Sequence, residues 1–129
     1  MEEKLITEME KPRDRAIVVG LNSPKLSERE NADDATLEEL AALVETAGGE
    51  VIGSVLQNRF SPEPRTFIGE GKVAEIRELV QNEKATMVIF DNDLSPSQMR
   101  ALTEDLGVQV LDRSGLILDI FAQRAKTKE

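Results

Sequence analysis

The 129-residue sequence predicts an α/β fold: a four-stranded parallel sheet in the order 2-1-3-4, with two helices on each face. Three observations lead there. Short apolar runs and helix-period stripes alternate four times along the chain, the pattern of consecutive βα units. The first run is short, apolar and β-branched and the third is apolar throughout, which is how strands covered on both faces read. Each stripe has a start or stop signal, and right-handed crossovers then place helices one and four on one face and helices two and three on the other.

The elements follow in order. Met1 to Asp14 is a charged lead-in that reads as a flexible N-terminal arm, and 15–129 as one α/β domain. Arg15 to Leu21 contains Ala-Ile-Val-Val-Gly, the first strand. Asn22 to Asp34 is polar, includes Pro24 and lacks periodicity, so it is a long surface loop. Thr36 and Glu39 have the form of a capping box, Leu37, Leu40, Ala41 and Val44 make one stripe, and Gly48-Gly49 supply a left-handed stop. Glu50 to Gln57 is the second strand, followed by a loop over 58–71 with Pro62, Pro64, Gly69 and Gly71. Lys72 to Lys84 forms the second helix, with Val73, Ile76, Leu79 and Val80 facing inward.

Thr86 to Phe90 is the third strand. Ser95, Pro96 and Gln98 occupy N-cap, N1 and N3 of a third helix whose stripe is Met99, Leu102 and Leu106, ending at Gly107. Val108 to Leu111 is the fourth strand, and Ser114 opens a last helix in which Leu116, Ile117, Leu118, Ile120 and Phe121 are apolar nearly all round. No Gly or Pro stops that helix before Glu129, so the chain reads as cut within it.

Composition narrows the chemistry. Zero Cys and zero His remove disulfides, thiolate metal sites, cysteine nucleophiles and the usual general base. With no apolar run of membrane-spanning length and no signal sequence, no stable membrane insertion is expected, and the cytoplasm is the default location. Sixteen basic against 25 acidic residues give −9, a poor overall field for a polyanion. The acidity is mostly N-terminal: residues 1–50 hold thirteen acids and six bases, residues 51–129 twelve and ten.

Several motifs compete. Gly69-Glu-Gly71-Lys72 resembles a phosphate loop, but Thr66 stands where Walker A needs Gly and Val73 where it needs Ser or Thr. Gly20 has no partners in a dinucleotide frame. Asp91, Asp93, Asp112 and Asp119 could suggest a hard-cation site, against which stands capping of helix three by Asp93 and Ser95 and of helix four by Asp112 and Ser114. The 57–72 segment interleaves Arg59, Arg65 and Lys72 with Phe60 and Phe67 on an unusually long βα loop. Cations for phosphates and a ring for an unpaired base are a recipe for RNA, whereas a proline-stiffened loop with Phe67 and Ile68 in the core is the plainer account. Arg113, Arg124, Lys126 and Lys128 form a second basic stretch, in which Arg113 lies at the carboxyl edge of the sheet.

The blocks Arg59-x-x-Pro62-x-Pro64-x-Thr66-Phe67-Ile68-Gly69-x-Gly71-Lys72, Val88-Ile89-Phe90-Asp91-x-x-Leu94-Ser95-Pro96-x-Gln98 and Asp112-Arg113-x-Gly115-Leu116-Ile117-Leu118-Asp119-Ile120-Phe121-Ala122-Gln123-Arg124-Ala125 resemble the N-terminal domain of the HflX GTPases. The resemblance covers roughly residues 15 to 129. It implies a parent that binds the 50S ribosomal subunit and its 23S rRNA, splits or rescues stalled ribosomes under stress, and hydrolyses GTP with Mg in a separate G domain beyond a helical linker. It also implies that these 129 residues lack the G domain, carry no catalytic residue, hold no cofactor or metal, and touch RNA through Arg59, Phe60, Arg65, Lys72 and Arg113. Two other readings stay open: a small nucleotide- or metal-binding hydrolytic domain linked to ATP and RNA remodelling, and a regulatory domain restraining the parent's own G domain.

Overall fold

A computed structural model describes residues 13–127. The expected arm at 1–14 falls almost wholly outside the described residues, as do Lys128 and the side chains of Phe121, Arg124 and Lys126. The elements are β1 (Arg15–Asn22), α1 (Asp34–Thr46), β2 (Glu50–Asn58), α2 (Glu70–Glu83), β3 (Met87–Phe90), α3 (Pro96–Leu106), β4 (Gln109–Asp112) and α4 (Arg113–Thr127). The four strands are parallel in the predicted order β2-β1-β3-β4.

β1 sits between β2 and β3 and is buried on both faces. Because side chains alternate along a strand, Ile17, Val19 and Leu21 enter one core layer and Ala16 and Val18 the other. The first layer is closed by Val73, Ile76 and Val80 of α2 with Leu102 and Leu106 of α3, the second by Leu37, Leu40 and Val44 of α1 with Leu116 of α4. The helices thus cover the faces in the predicted pairs.

Helix starts differ from expectation in three places, the simplest being α2, which begins at Glu70 with Gly69 as its N-cap and not at Lys72. Asp33, not Thr36, is the N-cap of α1: its side chain accepts from the Thr36 N–H at 2.8 Å, while the Thr36 hydroxyl oxygen accepts from the Asp33 N–H at 2.9 Å. Thr36 is therefore the third helical residue of a capping box that begins three positions earlier, and Glu39 takes no part in it. α4 starts with no intervening loop, since Asp112 ends β4 and also accepts the Gly115 N–H at 2.8 Å. Ser114 lies inside that first turn, and its hydroxyl donates to Asp93 at 3.1 Å, so Asp93 tethers α4 instead of capping α3. At α3 the box formed by Ser95 and Gln98, with Pro96 at the start, matches the prediction.

The 22–34 loop folds back onto the sheet over Gly20. Ala32 is buried there, its N–H donating to Leu21 O at 3.2 Å. A Cβ at Gly20 would lie 2.7 Å from the Ala32 Cβ and 3.3 Å from a Leu37 methyl. Neither the short Ala32 side chain nor the backbone behind it can yield cheaply. Gly20→Ala should cost about 1–3 kcal/mol, seen as a lower urea midpoint with an unchanged slope.

Candidate functional site

Ligands of open parallel sheets bind beyond the strand carboxyl ends, where the chain order reverses. Here the reversal falls between β1, whose chain leads to β2, and β3, whose chain leads to β4. The loops leaving these strands are tied together by Asn92, a buried residue. Its Oδ1 accepts from the Leu21 N–H at 2.8 Å, and its Nδ2 donates to Leu21 O at 3.0 Å and Glu30 O at 2.8 Å.

Beside it lies an ion pair. The Arg113 guanidinium donates through Nε to Asp91 Oδ1 at 2.7 Å, donates through Nη2 to the same oxygen, and reaches Thr36 O at 2.8 Å. The Asp91 side chain is 3% exposed, so its charge depends on that partner. β3, α1 and α4 therefore meet at one guanidinium. Around it opens a crevice of about 330 Å³ lined by Arg29, Asn31, Thr36, Asp91, Asn92 and Arg113 among others. Among the described residues no group of three or more acids is placed to hold a metal ion.

The five predicted RNA-binding residues engage different partners. Arg59 curls over its own loop, donating to Ser61 O at 3.2 Å and pairing with Glu63 at 3.5 Å. Phe60 next to it is 72% exposed, with the Lys25 ammonium 4.8 Å from its ring centroid. The Ser23 hydroxyl fixes this corner by donating to Phe60 O at 2.8 Å. Arg65 points away to α3, forking onto both carboxylate oxygens of Asp105 at 2.6 and 3.1 Å. Lys72 pairs with Glu75 within α2 at 2.9 Å. Arg113 is in the crevice, bonded to Thr36 and Asp91 and not to any residue of the 58–71 loop.

Each of the four predicted cations thus has a carboxylate partner. Arg29 and Lys25, on the loop after β1, are exposed and have no such partner among the described residues. Their signal in the sequence was weak, because that loop carries acids as well. Phe67 and Ile68 are buried, and Phe67 holds a left-handed φ of 68° where Glu63 and Phe67 exchange backbone hydrogen bonds. The glycine-rich start of α2 is occupied by the protein itself. The Gly69 N–H donates to Gln57 Oε1 at 3.0 Å, and a Cβ at Gly69 would collide with the Arg59 guanidinium.

Fold and crevice define an α/β domain of parallel-sheet type with a polar site at its switch point. Residues 34–122 match the family described as GTP-binding GTPase N-terminal. The chain is 41% identical over 123 residues to the GTPase HflX of Caldanaerobacter subterraneus subsp. tengcongensis, covering 95% of this chain and 27% of that protein. It is 46% identical over 100 residues to the GTPase HflX of Escherichia coli, covering 78% and 24%. A solved GTP-binding protein from the hyperthermophilic archaeon Sulfolobus solfataricus in complex with GDP superimposes with a TM-score of 0.59 at 27% identity, over 84% of this chain and 30% of that one. The chain belongs to the HflX family, as its N-terminal domain, and spans about a quarter of the length of the curated relatives it matches.

Two outcomes follow from these bonds. Arg113→Ala leaves the buried Asp91 carboxylate uncompensated and should cost about 3–5 kcal/mol in urea unfolding. The Arg65 fork holds the Asp105 carboxyl below its ordinary range. A carboxylate with a depressed folded value adds stability that is present above its unfolded pKa and is lost as pH falls through the folded one. Carboxyl NMR titration of Arg65→Ala should show the Asp105 midpoint rising toward that of an unpaired aspartate.

Proposed function

We propose that this domain is the RNA-contacting part of a GTPase that works on the large ribosomal subunit, where it helps split or rescue stalled ribosomes under stress. GTP hydrolysis, with Mg, belongs to a G domain outside these 129 residues, joined through a helical linker, and the protein acts in the cytoplasm. The observation that carries this reading is the corner formed by Phe60 and Lys25 in a chain of the HflX family. A large aromatic ring stands 72% exposed on a backbone held by the Ser23 hydroxyl, with an ammonium over it. Exposed rings with adjacent cations suit an unpaired base and its phosphate. Arg59 is next to Phe60 in the chain and supports the loop, while Arg65, Lys72 and Arg113 act first as structural cations and contribute field rather than free charge.

In the GTPase that contains this domain and its G domain, Phe60→Ala combined with Lys25→Ala should weaken 50S binding about tenfold or more, since loss of one base-stacking contact is worth ~1–3 kcal/mol. Intrinsic GTP turnover without ribosomes should be unchanged. Unaltered 50S affinity in a sedimentation assay would remove the corner from the interface.

A further inference from the structure

The crevice between β1 and β3 contains two polar atoms that the fold does not use. Asp91 accepts both Arg113 bonds on Oδ1, and no donor among the described residues reaches its Oδ2. Arg113 donates through Nε and Nη2, and its Nη1 meets no acceptor among the described residues. Both side chains line the cavity, and that of Asp91 is 3% exposed. An acceptor and a donor of one ion pair are therefore available to a guest.

The remaining lining selects the guest. Glu39 and Asp93 add negative charge, which repels a phosphate and favours a group rich in N–H. A cavity of about 330 Å³ is at the small end for ligand sites and suits one flat ring system. Arg29 at the wall is exposed and has no carboxylate partner among the described residues, so its planar guanidinium is free to stack on a base or meet a phosphate outside.

We propose that this crevice receives one unpaired guanine of an RNA strand. Guanine presents adjacent N–H donors beside a carbonyl acceptor: Asp91 Oδ2 accepts from the N1–H or the N2 amino group, and Arg113 Nη1 donates to O6. Arg29, at the wall of the crevice, meets a flanking phosphate. The inference rests on the RNA-contact reading above and adds to it a base identity and a second point of contact, distinct from Phe60.

The test is NMR titration of the ¹⁵N-labelled chain with the pentaribonucleotides UUGUU, UUAUU and UUUUU and with free GMP. UUGUU should bind about tenfold more tightly than UUUUU, the discrimination expected of a good hydrogen-bonded base contact, with the largest amide shifts at Thr36, Asn92 and Ser114. GMP should bind more weakly than UUGUU because it lacks flanking phosphates. Arg113→Lys keeps the charge and removes the fork, and should abolish the guanine preference. Arg29→Ala, on an exposed side chain, should weaken all three pentamers alike and keep that preference. Equal affinity for the pentamers with shifts confined to 57–68 would overturn the crevice and leave the Phe60 contact standing. No shift with any pentamer would overturn both, and GMP binding as tightly as UUGUU would make this a free-nucleotide site and overturn the RNA assignment.

Discussion

Asn92 pairs with both backbone groups of Leu21, as a residue of a neighbouring strand would, and so continues the β1–β3 ladder past the last residue of β3. The regular pairing ends at Val19 and Phe90, and Asp91 N donates to Val19 O at 2.8 Å before the side chain takes over. With its other Nδ2 hydrogen on Glu30 O, the same amide pins the 22–34 loop. A buried polar group is stable only when its bonds are complete, and among the described residues every side-chain nitrogen or oxygen fully sealed from solvent has a partner, Asp91 Oδ2 escaping this rule by reaching the crevice surface. The crevice is therefore walled by groups whose positions are set by hydrogen bonds rather than by loop packing.

Asp91, Asp93 and Asp112 have separate tasks at this edge. Asp91 neutralises Arg113, Asp93 accepts from Ser114, and Asp112 accepts from both Leu94 N–H and Gly115 N–H. All three bind the turn after β3 to the first turn of α4. Carboxylates at a helix start also face the positive end of its dipole. The short β4, only four residues, gains rigidity that its own ladder could not give, and Leu116 can seat in the core directly behind it.

The parallel sheet, its strand order and the two helix pairs were legible because they depend on periodicity and on local signals such as Ser95-Pro96-x-Gln98, which the chain carries in consecutive residues. The cap of α1 was misplaced for a physical reason. Asp33 and Thr36 satisfy the same spacing rule as Thr36 and Glu39, and only the extended backbone at Asp33, with φ of −145°, separates them. The site was less legible. A basic stretch in sequence does not show that Asp105, 40 residues away, receives Arg65, or that Thr36, 77 away, accepts from Arg113. Side-chain charge is local in sequence and its neutralisation is not. Lys25 and Arg29 were passed over for the converse reason, since the acids near them in sequence do not pair with them in space.

These pairings bear on the RNA contact proposed for a chain of net charge −9. Affinity gained through counterion release scales with the number of phosphates neutralised, and a cation already held by a carboxylate contributes little to that number. With Arg59, Arg65, Lys72 and Arg113 so held, few phosphates can be bound here by charge alone. The proposed RNA contact would then rest on unpaired bases, through an exposed ring and hydrogen-bonding atoms held in place, rather than on charge. The groups at the carboxyl edge are held by hydrogen bonds and mixed in sign, an arrangement suited to selecting one polar partner rather than to gathering polyanion.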